Sequence, residues 1–197
     1  CGLVHKTKSD TTGHGALNTP KLFPWHGEIL RETKDGRMEI ICGASLLERN
    51  ILITAAQCTT DANGLPYEPS DLKVVLNSSP VIIQPSDETK YMGLHDVKEI
   101  RRPKNYDGIT LQSDIAIIKL KTPVTYTDSV RPICYLMHGF PQTPVPNSTG
   151  TVPTPINIRP GESMTSVKNL DFVVLPDGQC EAISSGSFCA KSSQGKF

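Results

Sequence analysis

The sequence lacks a charge bias: 20 basic and 20 acidic side chains cancel, and the pI is near 7.1. A chain without a basic excess is poorly matched to a phosphate backbone, so no nucleic-acid partner is expected. It also lacks a long apolar run. The strongest, Ile51-Leu52-Ile53 with the alanines after Thr54, is far shorter than the roughly 18 residues of a membrane-crossing helix, so no membrane insertion is expected. C-x-x-C pairs are missing, which removes the zinc-ribbon and thioredoxin spacings. No sustained 3.6-residue period occurs, so the only helical turn expected lies around Ala55–Cys58. There is no internal repeat, no initiator Met and no signal-peptide pattern; a start at Cys1 reads as a processed form or a fragment.

What is present has globular character. The 197 residues suit one domain. With 37% hydrophobic and 20% charged residues, the chain is neither disordered nor collagenous. Six cysteines, at 1, 42, 58, 134, 180 and 189, favour disulfides and hence an oxidising compartment. Two N-x-S/T sequons, at Asn77 and Asn147, agree with secretion and mark candidate glycosylation sites.

The patterning is that of many short strands. After a poorly periodic arm over 1–20, order begins at Phe23–Leu30. Asp35-Gly36 marks a hairpin between Glu28–Glu32 and Met38–Cys42, and Arg49-Asn50 marks a turn between Leu46-Leu47 and Ile51–Ala55. Further strands are expected at Leu72–Leu76, Val81–Gln84, Val97–Arg101, Ile115–Leu120 and Phe172–Leu175. The proline-rich stretch Gly139–Gly161 reads as a long surface loop. The basic runs Arg101-Arg102 and Lys119–Lys121 are short and solvent-facing. An all-β barrel or sandwich follows.

The informative segment is Cys42-Gly43-Ala44-Ser45-Leu46-Leu47, followed by Ile51-Leu52-Ile53-Thr54-Ala55-Ala56-Gln57-Cys58. Two cysteines bracket a hairpin that ends in a small-residue turn. This resembles the C-G-G-S-L-I and V-L-T-A-A-H-C stretches of the trypsin/chymotrypsin-like serine protease family, peptidase family S1. Ser113–Leu120 resembles its D-I-A-L-L-K-L strand, Val130–Cys134 its V-R-P-I-C-L, Phe23–His26 its F-P-W, and Ser187–Ala190 its M/F-C-A-G. All five occur in family order.

The resemblance implies two Greek-key β-barrels with a catalytic cleft between them: a trypsin-like domain over 21–197, with a first barrel about 21–128 and a partial second barrel about 129–197. By comparison with family domains of about 230–250 residues, the second barrel reads as truncated at the C-terminus. In the cleft a Ser is deprotonated by a His that a buried Asp orients. Asp114 matches that Asp, but the position of the His holds Gln57, and no G-D-S-G segment for the nucleophile occurs. A carboxamide cannot take a proton near neutral pH and return it. Loss of the base alone costs on the order of 10⁶ in turnover in subtilisin. Gln57 can still donate a hydrogen bond to Asp114, and without an imidazole Asp114 reads as a structural acid capping local amides.

Two further departures agree. The stretch His14–Pro20 stands where the family has R-I-V-G-G, so the usual activating cut is not expected, and the G-W-G segment is missing. His5, His14, His26, His95 and His138 offer no substitute base: His26 falls on the first strand, His5 and His14 in the arm, and His95 and His138 in loops. Asp87 and Glu88 lie where some relatives bind calcium but make a poor oxygen cage, so no metal or other cofactor is expected. The resemblance suggests the pairings Cys42–Cys58, Cys1–Cys134 and Cys180–Cys189 out of fifteen possible ones.

The reading is a secreted, catalytically inactive homologue. It would bind other secreted proteases or their regulators, as a cofactor or regulator in an immune or clotting-type cascade like those of arthropod haemolymph. The rival readings are an active endopeptidase whose sequence is incomplete or altered at the triad, and a degenerate partial gene product.

Overall fold

The computed structural model describes residues 2, 23–33, 36, 38–76, 93–135, 144–155, 167–176, 178–179 and 187–193. Nine strands order the described chain: β1 His26–Glu32, β2 Met38–Glu48, β3 Ile51–Thr54, β4 Leu72–Leu76, β5 Leu94–Arg101, β6 Ala116–Leu120, β7 Thr149–Pro155, β8 Val167–Val174 and β9 Ala190–Ser192. The described chain is all-β. β1–β6 close into a barrel in the order β1-β2-β3-β6-β5-β4, and β7-β8-β9 form a second antiparallel sheet.

Period-two burial builds the barrel. Ile29, Leu46, Leu52, Leu72, Val74, Ile118 and Leu120 are fully buried in one cluster, joined by Ala44, Leu76, Val97 and Val124. Each large aliphatic side chain there contributes about 1.5–3 kcal/mol on removal from water. Bulges at Ile29/Leu30, Leu46/Glu48 and Val97/Glu99 shift the ladders and add the coiling that closure requires. Gly27 lets β1 lie close against β4, where it pairs with Leu76, because a Cβ there would lie 2.9 Å from Leu76 Cδ2 and 3.2 Å from the Val75 carbonyl.

Several expectations change in detail. Phe23-Pro24-Trp25 forms a turn, and β1 starts only at His26. Met38–Cys42 and Leu46-Leu47 belong to one eleven-residue strand. β5 begins three residues early, at Leu94, so His95 is a strand residue paired with Val74, not a loop residue. Two 3₁₀ turns, Ala56–Thr59 and Pro69–Asp71, are the only helical segments among the described residues. Val81–Gln84 and Asp35 lie outside the described residues.

The largest correction concerns Gly139–Gly161, read as a loop. Thr149–Pro155 within it is a strand, paired with β8 from Thr149↔Val173 to Pro155↔Val167. Among the described residues β7 pairs with β8 alone, at the edge of its sheet. An edge strand directs only alternate N–H groups at its neighbour, and Pro153 and Pro155 share one phase, so the missing donors cost no ladder bond when that phase faces away. Leu170 and Val174 bury one face of β8.

Candidate active-site remnant and family membership

The turn at 55–58 is built by its neighbours. β3 delivers the chain to it, and Thr54 pairs with Ala116 on β6, so the residues just after β3 and just before β6 are brought together. Ala56 is fully buried. The Cys58 amide donates to the Ala55 carbonyl (3.2 Å), and the Thr59 hydroxyl donates back to the Ala56 carbonyl (2.6 Å). A disulfide between Cys42 and Cys58, with Cα atoms 5.7 Å apart, ties the turn to β2.

Gln57 and Asp114 meet there. The backbone N–H of Gln57 donates to Asp114 Oδ1 at 2.8 Å. The carboxylate holds the amide of the turn, not the side chain of Gln57, which is exposed. Asp114 is half-buried, not buried as the family pattern implies. It thus satisfies an amide at the start of a 3₁₀ turn that no intrahelical carbonyl can reach. His26 sits on β1 with its Nε2 unpartnered, and His95 sits on β5; burial lowers the pKa of both, keeping them neutral. His5, His14 and His138 lie outside the described residues, as do the stretch His14–Pro20, Asp87 and Glu88.

The loop before Asp114 is held tightly. Asn105 Nδ2 donates to Ser113 Oγ (2.8 Å), and Asp107 accepts the amides of Ile109 and Thr110. Leu111 and Ser113 adopt φ near +56° and +57°, a left-handed conformation unusual for residues with side chains. Arg102 supplies a brace that sequence reasoning missed. Its guanidinium donates to Thr59 Oγ1 and to the Thr59 carbonyl (both 2.6 Å), and to the Tyr67 carbonyl (3.2 Å). The Arg101-Arg102 pair was visible as charge; that its second member turns inward was not. Among the described residues no group of three or more His, Cys, Asp or Glu could hold a metal ion.

Two of the other motifs, Phe23–His26 and Val130–Cys134, meet beside β2, while Ser187–Ala190 runs into β9 of the second sheet. Arg131 N–H donates to the Pro24 carbonyl (2.8 Å), Leu46 to Trp25 (2.8 Å) and Ile133 to Leu46 (2.9 Å). Phe23 and Trp25 meet edge to face with centroids 5.9 Å apart. Gly2 donates to the Pro132 carbonyl (3.0 Å), and its backbone passes so close to Cys134 that a Cβ would lie 2.8 Å from Sγ. Cys134 and Cys189 are both disulfide-bonded; Cys1 and Cys180 lie outside the described residues. Of the two sequons, Asn77 lies outside the described residues, while Asn147 is exposed on a turn with φ +65°.

A closed six-stranded barrel, a disulfide pinning an Ala-Ala turn and an aspartate docked on that turn define the chymotrypsin-like serine protease architecture. Residues 13–196 match the trypsin family, and the chain belongs to it. It is 35% identical over 136 residues to clotting factor C of Tachypleus tridentatus, covering 68% of this chain and 13% of that protein. Limulus clotting factor C of Carcinoscorpius rotundicauda is 29% identical over 212 residues, covering 100% of this chain and 20% of that protein. Human inactive serine protease PAMR1 is 33% identical over 121 residues, covering 57% of this chain and 16% of that protein. The chain thus spans a fifth or less of the length of these relatives. No helix among the described residues is long and apolar enough to cross a membrane.

Proposed function

We propose that this chain is a secreted, non-catalytic member of the trypsin family that works by binding other secreted proteases or their regulators in a proteolytic cascade. One observation carries the reading: at the position of the triad base the chain holds Gln57, whose amide occupies Asp114 Oδ1 at 2.8 Å. A carboxamide cannot serve as a general base. A serine supplied by any further part of the protein would face Gln57 in place of an imidazole. The cascade setting rests on likeness to clotting factor C and to an inactive serine protease. Six cysteines and the exposed Asn147 sequon support secretion.

The same reading divides the chain into an arm over 1–20 and a trypsin-like domain over 21–197. It assigns the bridges Cys1–Cys134 and Cys180–Cys189 and N-glycans at Asn77 and Asn147. The contact of Gly2 with the 132–134 segment supports the first bridge.

The test is chemical. The purified protein should take up no fluorophosphonate probe and cleave no peptide ester above background. Labelling of the wild type would instead establish the rival reading, an active endopeptidase. Capture of cascade proteases by the folded protein is the expected positive result, and its absence would favour a degenerate gene product.

A further inference from the structure

The outer surface of the barrel gathers cations that are scattered in the sequence. β5 and β6 pair Glu99 with Lys119 and Arg101 with Ile117, and the Lys121 amide donates to the Asp96 carbonyl. β4 adds Lys73 opposite Asp96. Val97, Ile118 and Leu120 point into the core. By alternation Lys73, Asp96, Glu99, Arg101, Lys119 and Lys121 stand on the outer face. Lys98, at the bulge, is exposed beside them.

The charges do not cancel there. Asp96 lies between Lys73 Nζ (2.6 Å) and Lys121 Nζ (3.6 Å), and Glu99 accepts from Arg101 Nε at 2.6 Å. Lys98 and Lys119 act on Glu99 only through space. Over β4, β5, β6 and Lys121, five cations stand with two carboxylates, although the whole chain has zero formal charge; the turn Pro69–Asp71, which packs against β5, adds Asp71 and its cap Glu68 at the margin. Neighbouring strands lie about 4.8 Å apart and alternate residues about 7 Å apart, which sets each of these cations about a Debye length, roughly 8 Å, or less from its nearest neighbour. Such a face stores repulsion that a polyanion relieves.

We propose that the outer face of β4, β5 and β6 binds a sulfated polysaccharide. The face is an exposed, pleated sheet surface, so its ligand must bind by repeated charge. Sulfate esters stay ionised at every physiological pH, and their three terminal oxygens can bridge two cations beside Asp96 or Glu99. An acidic peptide presents one carboxylate per side chain, with two oxygens in place of the three of a sulfate ester, and so reaches fewer cations from each charged group. The proposal goes beyond the cascade reading and does not involve Gln57.

The experiment measures binding of a heparin oligosaccharide to the full chain by fluorescence anisotropy between about 0.05 and 0.2 M salt. Affinity should fall steeply with salt. The double variant Lys98→Ser/Lys119→Ser should bind about tenfold or more weakly and lower the slope of log K against log salt by about 1–2. Arg49→Ser/Lys191→Ser, outside the face, should leave binding unchanged. Absence of wild-type binding, or equal loss in both double variants, overturns the proposal. So does full binding by a Lys98→Ser/Lys119→Ser protein whose melting curve matches wild type. Polyglutamate of matched length binding as tightly as heparin would overturn the choice of a sulfated sugar.

Discussion

Asp114 shows what a carboxylate does beside a turn that holds Gln57. Its carboxylate stabilises the 55–58 turn by accepting the Gln57 amide. Asp114→Ala should lower stability by about 1 kcal/mol, because a hydrogen bond to a charged group is lost at a half-exposed site. Asp114→Asn keeps an acceptor oxygen and should lose less than half of that. Denaturant midpoints at constant slope give both values. A histidine at 57 should restore no esterase activity on its own, since no G-D-S-G segment is present in the chain. His26 makes a separate prediction. Burial lowers its pKa, so the unfolded state binds more protons than the native state between the native pKa and the unfolded value of about 6.5. The contribution is whole above that value and lost as pH falls below it. His95 shifts in the same direction. Unfolding midpoints should therefore decline from pH 7.5 to 5.5, and His26→Gln should flatten that decline.

Among the elements, the β2–β3 hairpin and its turn form the most heavily tied unit. Its cross-link spans 16 residues, and closing a loop of that size in the unfolded chain contributes about 3 kcal/mol. A Cys42→Ala/Cys58→Ala variant should lose about that amount, read as a lowered denaturant midpoint under non-reducing conditions. Arg102 adds a second tie, across to β5. Arg102→Ala removes donors from the carbonyls of Thr59 and Tyr67 and should cost about 1–3 kcal/mol. Arg102→Lys should recover only part of this, because an ammonium lacks the planar fork whose Nε reaches Thr59 Oγ1 while Nη2 reaches both carbonyls. A larger loss at Arg101, which pairs with Glu99 at the surface, would contradict the division of labour between the two arginines.

The barrel as a whole stands on its shared interior. Leu52 lies within it, with strands β2 and β6 on either side, and is fully buried. Leu52→Ala should cost about 2–5 kcal/mol, since a closed barrel relaxes poorly around a cavity. Ile51→Ala on the half-exposed side should cost far less, and the contrast checks the inside–outside assignment.

Much of this architecture was readable from local pattern. The hairpin cysteines, the Ala-Ala turn and the strands at 51–54, 72–76 and 116–120 are short-range features, governed by alternation and turn chemistry that sequence displays directly. The identity of Gln57 is likewise a matter of sequence, and no fold can lend basicity to a carboxamide. Three things were decided elsewhere. β7 exists because β8 offers it a ladder that its prolines do not obstruct. Asp114 bonds the backbone, not the side chain, because β3 and β6 bring the start of the turn within 2.8 Å of it. The cationic face arises because antiparallel pairing sets Lys73, Lys98, Arg101, Lys119 and Lys121 side by side. Each depends on residues distant along the chain, and pairing energies between distant strands are set by the closed barrel, not by any local preference.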